Sequence, residues 1–188
     1  MSKYDKLKWD KKYRDFDISL KPISLVIEYA KKAGGKRALD IACGMGRHSR
    51  YLAGEGFLVD ALDISYVALK TLENEKNIFL KEVDFDTYEL ECDSYDLIVC
   101  TYFLQRSLFP QIVDALKNGG VLLMQTYTSD SSSESSPINK KFLLKSHELK
   151  NFFEKSCDIL FYEERFSTNP KKERSMIASL AARKKGSS

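Results

Sequence analysis

The sequence predicts an α/β fold, a doubly wound and Rossmann-like sheet of seven strands with helices on both faces. Short, continuous apolar runs alternate with helical patterns along the first two-thirds of the chain. Such runs are typical of strands that are covered on both faces, as in a parallel sheet. Proline near helix starts and glycine at helix ends separate these elements from one another.

Five strands and the helices between them follow from this alternation. Pro22 opens the first predicted helix, and a Gly-Gly pair at residues 34–35 ends it. The next helix begins near Gly46, and Ser65 is the expected N-cap of a third that runs to about residue 73. Two further helices are expected over residues 107–117 and 146–155. The predicted strands are residues 37–42, 57–63, 78–83, 95–101 and 121–127.

The last third of the chain departs from this alternation. Residues 128–137 include six serines, so this segment is too polar and too long for a routine connection. Two β-like runs, 159–166 and 175–182, have no room for a helix between them and must pair as an antiparallel hairpin. We therefore expect the strand order 3-2-1-4-5-7-6, in which only strand seven is antiparallel.

Composition limits the classes of function. The chain has 188 residues, 43% of them hydrophobic, and a formal net charge of +3. These values suit one domain over residues 1–188 and demand neither a nucleic-acid nor a membrane partner. No apolar run reaches the roughly 18 residues that a membrane span needs. Because Cys43, Cys92, Cys100 and Cys157 lack metal-site spacing, we expect buried free thiols, no metal and a cytoplasmic location.

A glycine-containing turn follows the first predicted strand. Gly44 and Gly46 have no side chains, so the backbone can approach a ligand closely at the carboxyl end of this strand. Asp63 ends the next strand, where a carboxylate can accept hydrogen bonds from both hydroxyls of a ribose. Together these features predict a cofactor that contains a nucleoside.

The order of these parts resembles the class I S-adenosylmethionine-dependent methyltransferases over nearly the whole chain. The motif Asp40-Ile-Ala-Cys-Gly-Met-Gly46, the acid Asp63 and the pair Asp84-Phe85 after strand three match that class. Ala42 stands where the class often has the first of three glycines, and it is small enough to leave cofactor binding intact. The segments Tyr102-Phe-Leu-Gln-Arg-Ser-Leu-Phe-Pro110, Phe142-Leu-Leu-Lys-Ser-His-Glu-Leu149 and Ala178-Ser-Leu-Ala-Ala-Arg-Lys-Lys185 are similar to the TehB-like tellurite-resistance and thiol-methyltransferase branch.

The resemblance implies S-adenosyl-L-methionine as the cofactor. Asp63 would bind the ribose, and Asp84 with Phe85 would meet the adenine unless Asp84 is only a surface acid. Asp40 would orient the ammonium group of the ligand, cap the amides of its own loop, or do both. His48 would either touch the cofactor tail or simply lie at a helix start. The implied cofactor residues are Trp9, Tyr13, Asp40, Ala42, Cys43, Gly44, Gly46, His48, Asp63, Ile64, Ser65, Asp84, Phe85 and Thr101.

Trp9 and Tyr13 belong to an N-terminal segment, residues 1–20, that looks like a lid over bound cofactor in related enzymes. Aromatic faces near a sulfonium are favourable because the ring quadrupole attracts the positive charge. Packing of both rings against the sheet edge is the alternative interpretation.

Two other classes of protein remain as alternatives. The Gly44-x-Gly46 pattern comes close to a dinucleotide fingerprint, and Tyr66 with Lys70 mimics the Tyr-x-x-x-Lys pair of a dehydrogenase, which favours NAD(P). However, those two side chains are expected on one helix face beside the adenine, far from a reacting nicotinamide. The other alternative is a cofactor-binding regulatory or scaffold protein that has this fold and no turnover.

The methyl acceptor is expected at the carboxyl ends of strands four and five. No Asn/Asp-Pro-Pro-aromatic or Pro-Cys motif occurs, so nucleic acid is not the expected acceptor. A small thiol, chalcogen oxyanion or carboxylate is favoured, acted on by a monomer or homodimer. Arg106 would orient this acceptor, because a cation at a helix start is otherwise unfavourable, with a surface ion pair as its alternative. Tyr102 and Gln105 would line the approach.

Overall fold

The computed structural model describes residues 3–15, 19–129, 140–168 and 174–186. Its seven strands are β1 (Arg37–Ile41), β2 (Leu58–Asp63), β3 (Ile78–Glu82), β4 (Tyr95–Thr101), β5 (Leu116–Tyr127), β6 (Cys157–Thr168) and β7 (Arg174–Lys184). Its α-helices are α1 (Lys3–Asp15), α2 (Ser24–Tyr29), α3 (Arg47–Gly54), α4 (Tyr66–Lys70), α5 (Leu108–Ala115) and α6 (Glu148–Phe153). Short 3₁₀ helices cover Ala30–Lys32 and Lys140–Phe142.

The sheet has the predicted topology. Its order is β3-β2-β1-β4-β5-β7-β6, and β7 pairs antiparallel with both β5 and β6. The other pairings, β1 with β2 and β4, β2 with β3, and β4 with β5, are all parallel. The expectation of a doubly wound sheet with one antiparallel strand is therefore confirmed.

Apolar residues fill both faces of the central strands. Val99 on β4 packs with Leu52 and Val26 in one buried cluster, whereas Ile98 packs with Leu108 and Leu180 in another. Because successive side chains of a strand point to opposite faces, one continuous apolar run supplies both clusters. This is the physical reason why β4 lacks polar alternation in the sequence.

Strand β5 begins earlier than predicted. The sequence suggests a helix to residue 117 and then a Gly-Gly turn, yet α5 ends at Ala115 and β5 already begins at Leu116. Its pairing with β4 shifts register between Tyr95 and Leu97, which is a bulge that absorbs Gly119 at φ +78°. The Gly-Gly pair was therefore misread as a turn, because a bulge and a helix stop both favour glycine.

The hairpin and the cysteines complete the comparison with expectation. Strands β6 and β7 are longer than the predicted runs, and residues 130–137 of the serine-rich segment lie outside the described residues. Cys43, Cys100 and Cys157, which lie within or beside predicted strands, are buried free thiols as expected, and Cys92 is exposed. It lies in the exposed loop between β3 and β4, beyond the strand that would have buried it. Within the described ranges, no helix is long and apolar enough to cross a membrane.

Candidate active site

A cavity of about 550 Å³ opens at the carboxyl ends of β1, β2 and β4. Parallel strands place these ends at one edge of the sheet, where the loops that follow them can enclose a ligand. Helix α1 lies across this edge and supplies part of the wall. Among the predicted residues, those that line the cavity are Trp9, Tyr13, Ala42, Cys43, Gly44, Asp63, Ile64, Phe85, Thr101 and Tyr102.

The loop after β1 requires glycine for two separate reasons. Gly44 has φ +55°, and a Cβ atom there would lie 2.7 Å from the hydroxyl oxygen of Tyr13. Gly46 has φ +75°, and its Cβ would lie 2.5 Å from the Leu72 side chain. Ala42 also adopts a left-handed conformation, φ 53°, which is unusual for a residue with a side chain. The loop therefore packs closely against Tyr13 of α1 on one side and against Leu72, just after α4, on the other.

Asp63 combines burial with an open position on the cavity wall. Its carboxylate accepts hydrogen bonds from the backbone N–H groups of Gly44 at 2.8 Å and Ser65 at 2.9 Å. Burial raises the pKa of this carboxyl, and the backbone hydrogen bonds oppose that rise. Each carboxylate oxygen has a further lone pair for a ligand hydroxyl. Ser65 caps α4 by accepting from Ala68 N, as predicted, so Asp63 is not needed for that purpose.

Asp40 lies behind the cavity wall. It is 1% exposed, and its carboxylate accepts a hydrogen bond from the Ser49 hydroxyl at 2.6 Å. Burial raises the pKa of Asp40 to about 7, although the bond from Ser49 acts in the opposite direction. Arg47 favours the ionised form as well, so a second positive charge near this carboxyl would favour it further.

His48 is also buried beneath the cavity. Its Nδ1 lies 3.4 Å from the Thr101 hydroxyl oxygen, and the backbone N–H of Ile23 donates to its Nε2 at 3.5 Å. Burial, and next to it the charge of Arg47, lower the pKa of His48 to about 3. The ring is consequently neutral at physiological pH and connects α3 to β4 and to the segment before α2.

Arg47 is a charged residue of the cavity wall that the sequence analysis missed. It lines the cavity, its guanidinium carbon lies 5.2 Å from the ring centre of Tyr102, and one nitrogen lies 3.4 Å from the Thr101 hydroxyl. Among the described residues, no carboxylate forms an ion pair with it. The signal was available, because Arg47 is the first residue of α3 and a cation is unfavourable there without an anionic partner.

The wall of the cavity near β3 is aromatic. Phe85 is 3% exposed, and its ring centre lies 5.3 Å from that of Phe103. Asp84 does not line the cavity, and its Oδ1 accepts a hydrogen bond from the backbone N–H of Asp86 at 2.9 Å. The structure thus separates the two residues that the sequence placed together against the adenine.

Helix α1 is attached by residues along one of its faces to the end of β3 and to the loops after β2 and β1. Lys6 forms an ion pair with Glu82, and buried Asp10 accepts a hydrogen bond from the Ser65 hydroxyl at 2.5 Å. Farther along, Tyr13 lies over Gly44, and burial raises the pKa of this phenol. Trp9 stacks on Tyr13 with ring centres 5.8 Å apart. Both rings line the cavity, so packing of the two rings on each other leaves them in position to contact a ligand.

The structure corrects the placement of Arg106 and Gln105. Arg106 does not line the cavity; its guanidinium pairs with Glu148 through two hydrogen bonds of 2.5 and 2.9 Å and donates to two backbone carbonyls. The Gln105 amide donates to the backbone oxygen of Phe85 instead. The sequence argument failed because the anionic partner of Arg106 is distant along the chain. Tyr102 alone of the three predicted acceptor residues reaches the cavity.

The dehydrogenase-like pair lies on the surface. Tyr66 is 50% exposed, and its hydroxyl donates to Glu73 at 2.9 Å. Over the residues that the structure describes, no group of three His, Cys, Asp or Glu side chains is arranged to hold a metal ion. A sheet of this order, with a glycine loop after β1 and an acid ending β2, is the Rossmann-like fold of the methyltransferases.

Comparison with known proteins identifies the family. A family model described as tellurite resistance protein TehB matches residues 5–174, and the chain belongs to this family. A Haemophilus influenzae relative named "Probable S-adenosyl-L-methionine-dependent methyltransferase TehB" is 28% identical over 178 residues, which cover 85% of this chain. The chain spans 61% of that relative's length.

Two further matches extend the comparison. The crystal structure of TehB from Haemophilus influenzae superposes with a TM-score of 0.76 at 26% identity, covering 96% of this chain and 67% of that one. A Caenorhabditis elegans protein named phosphoethanolamine N-methyltransferase 2 is 30% identical over 132 residues, 64% of this chain and 30% of its own length.

Proposed function

We propose that this chain is an S-adenosyl-L-methionine-dependent methyltransferase that acts on a small molecule. One observation carries the proposal: a single cavity brings together the guanidinium of Arg47, which has no ion-pair partner among the described residues, the buried carboxylate of Asp63 and the ring of Phe85. These three groups complement the three parts of the cofactor, which are a charged amino-acid tail, a ribose and an adenine.

The residues present fit this cofactor without rearrangement of the sheet. Arg47 binds the α-carboxylate, because its fork of donors has no other anion among the described residues. Asp63 accepts from the ribose hydroxyls, and Phe85 with Phe103 contacts the adenine faces. Asp40 lies close to Arg47 and adds negative charge on the side where the ammonium group would bind. When bound, S-adenosyl-L-methionine supplies a methyl group on a sulfonium, which is an excellent leaving group.

The protein's own part in the reaction is alignment and exclusion of water. The chain forms one domain, and its residues 1–20 serve as a lid. Within this segment, Trp9 and Tyr13 line the cavity beside the glycine loop. Aromatic rings at this place stabilise a nearby positive charge and keep water from the reacting atoms. The acceptor approaches from the side of Tyr102 and Tyr127, whose ring centres lie 5.3 Å apart.

The proposed acceptors are a small thiol, a chalcogen oxyanion or a carboxylate, and the structure gives reason to prefer the thiol. An oxyanion would need its own cation, yet Arg106 is committed to Glu148 and Arg47 to the cofactor carboxylate. Lys12 also lines the cavity, but burial lowers the pKa of its ammonium group and so disfavours the charge that an oxyanion needs. A thiol has a pKa of about 8.5, so an appreciable thiolate fraction exists at neutral pH without a strong base.

Cofactor binding can be measured directly, because Trp9 is the only tryptophan of the chain and lines the cavity. Titration with S-adenosylhomocysteine should change its fluorescence, and Arg47→Gln should weaken binding about tenfold or more by removing a charge-assisted pair. Arg47→Lys should recover only part of the loss. Unchanged affinity in Arg47→Gln would contradict the carboxylate assignment.

Turnover separates the enzyme from the scaffold alternative. Release of S-adenosylhomocysteine should be measured with matched thiols, selenite, tellurite and small carboxylates, each with and without the protein. Turnover with a thiol supports the proposal. Tight cofactor binding with no turnover on any of these acceptors would favour a binding protein instead.

A further inference from the structure

A second cavity of about 360 Å³ lies beside the cofactor cavity, on the far side of Tyr102. The two cavities share Tyr102, Ser167 and Ile177 as lining residues. No residue of the glycine loop lines the second cavity. Its walls are formed by α2 and the two residues before it, by the strands β5, β6 and β7, and by Tyr102. It therefore adjoins the reacting end of the proposed site without belonging to the cofactor pocket.

The floor of this cavity is polar in a place where strands are otherwise apolar. Gln125 on β5 and Ser179 on β7 are register partners, 5% and 3% exposed, and both line the cavity. Ser179 donates to the Gln125 amide oxygen at 2.9 Å, and the Gln125 amide nitrogen donates to the Tyr102 hydroxyl at 2.8 Å. The four residues before Gln125 are all apolar and buried. Burying polar groups here costs free energy unless they form hydrogen bonds. Packing alone would therefore favour apolar side chains at the positions of Gln125 and Ser179.

Counting hydrogens shows what this chain of side chains still offers. The two hydroxyls and the amide of Ser179, Tyr102 and Gln125 carry four donor hydrogens, and their two mutual bonds use two of them. Two donors remain whichever way the amide is turned, and no other described residue accepts from them. The floor therefore has donors for a ligand that carries hydrogen-bond acceptors, in addition to the lone pairs that the two hydroxyl oxygens keep.

Tyr102 has a strained backbone conformation that its contacts with Gln125 maintain. Tyr102 has φ 56°, an unfavourable conformation for a residue with a large side chain, and its N–H donates to the Gln125 carbonyl at 2.7 Å. This conformation turns the ring between the two cavities. Strain of this kind persists where surrounding contacts over-determine it, and here Gln125 holds both the backbone and the hydroxyl of Tyr102.

The remaining walls define the charge of the ligand. Ile23, Leu25 and Phe161 are apolar, and at the rim Arg165 is already paired with Glu163 at 2.9 Å. Glu28 adds a further carboxylate at the rim. Among the described lining residues, an anion would find no cation that is not already paired and would face acidic neighbours, so its desolvation would go uncompensated.

We propose that the second cavity binds the body of the methyl acceptor, an uncharged molecule with an apolar frame and a carbonyl or ring-nitrogen acceptor. The hydrogen-bonded side chains of Ser179, Gln125 and Tyr102 recognise that carbonyl oxygen or ring nitrogen. They thereby orient the nucleophile past Tyr102 toward the cofactor cavity. Gln125 and Ser179 are thus positioning and specificity residues. This inference rests on the proposed methyltransferase function, because it assigns the partner of the transferred methyl group.

The test uses two thiols of nearly the same shape, 4-mercaptobenzamide and 4-mercaptobenzoate. They differ in the group opposite the sulfur, which is a neutral amide in the first and a charged carboxylate in the second. Binding is measured by calorimetry on the full chain, both saturated with S-adenosylhomocysteine and without it. The amide should bind about tenfold more tightly than the acid, because the acid has no free cation to pair with. Equal affinity, tighter binding of the acid, or no binding of the amide in either state would overturn the proposal.

Variants separate recognition from folding. Gln125→Met keeps the volume and should weaken amide binding about tenfold, whereas Ser179→Ala should weaken it about threefold by loosening Gln125. Thr126→Val is the matched control, because Thr126 is buried on the opposite face of β5 and should leave amide binding unchanged. Unchanged amide binding in Gln125→Met would overturn the assignment, and a loss in Thr126→Val would attribute the effects to general damage of the strand.

Failure of the two proposals gives different results. If the amide binds as expected but is not methylated when S-adenosyl-L-methionine is present, the second cavity stands and the proposed activity fails. If thiols are methylated without preference for the amide, the activity stands and the second cavity is not the acceptor site. Trp9 fluorescence with S-adenosylhomocysteine reports independently that each variant still binds the cofactor.

Discussion

The β1–β2 end of the site and the β4–β5 end are assembled from contacts of different range. Asp63 accepts hydrogen bonds from residues 2 and 19 positions away, within one strand-loop-strand unit. By contrast, Gln125 bonds Ser179 at a separation of 54 residues, and Arg106 pairs with Glu148 at 42. The first end is a local motif that any chain of this fold can carry, whereas the second depends on how the hairpin and α6 pack. Cofactor binding is therefore expected to be robust, and acceptor choice to depend on distant substitutions.

The largest effect should come from breaking the local end at Asp63. Asp63→Ala removes the ribose acceptor and leaves the N–H groups of Gly44 and Ser65 without a partner. We expect S-adenosylhomocysteine affinity to fall by about 1–3 kcal/mol, roughly 5- to 150-fold. Calorimetry measures this directly. Asp114→Ala, at an exposed position on α5, is the control, and an unchanged dissociation constant in Asp63→Ala would reject the ribose assignment.

Two glycine substitutions distinguish backbone strain from contact with the lid. Gly44→Ala meets both a positive φ and the Tyr13 hydroxyl, whereas Gly56→Ala at φ +83° meets no atom within 4 Å. We expect Gly56→Ala to lower the free energy of unfolding by about 1 kcal/mol and Gly44→Ala by about 2 kcal/mol. Denaturant titration compares the two variants.

A second substitution sharpens the same test. Adding Tyr13→Phe to Gly44→Ala should restore part of the lost stability, because the hydroxyl that the new Cβ would meet is gone while the ring still packs on Trp9. The same addition to Gly56→Ala should bring no recovery, since no atom lies near that Cβ. Equal losses in Gly44→Ala and Gly56→Ala would show that α1 does not press on the glycine loop in solution.

The pH dependence of stability tests the buried carboxyl of Asp40. Burial raises its pKa to about 7, so the folded protein retains a proton that the unfolded chain releases. Asp40 should therefore destabilise the cofactor-free protein progressively as pH rises from about 4 to about 7. Relative to Asp40→Asn, the melting temperature of the native chain should fall by a few degrees across this window. Parallel melting curves for both proteins would refute the raised pKa.

The sequence predicted most of the fold because its signals are local. Apolar runs, the Ser65 cap and the closing hairpin each depend on neighbouring residues, and strand order followed from the absence of a helix between β6 and β7. Two elements were misread: α1, which the sequence analysis did not predict, and the start of β5, where a bulge and a helix stop leave the same glycine signal.

In the candidate site, too, the sequence predicted the local features and missed those that depend on distant residues. The glycine loop and Asp63 line the cavity as predicted, because motif and geometry coincide there. Arg47 and Arg106 pose the same problem, a cation at a helix start, and the sequence could not tell which had found an anion. Only the fold showed that α6 brings Glu148 to Arg106 and that Arg47 lies in the cavity.

The smallest effect on activity should come from breaking the long-range pair. Arg106→Ala removes an ion pair whose side chains are 42% and 19% exposed, together with two bonds to backbone carbonyls. We expect the free energy of unfolding to fall by about 1 kcal/mol, and thiol turnover to stay within about twofold.

A double-mutant cycle with Glu148→Gln then distinguishes a structural pair from an acceptor residue. If the pair only fastens α6 beside α5, each single variant loses similar stability and the double variant loses little more. Arg106→Lys should retain part of that stability, because a point charge lacks the planar fork. A fall in turnover of more than about tenfold in Arg106→Ala, with Glu148→Gln fully active, would instead mean that Arg106 leaves its partner and reaches the acceptor during the reaction.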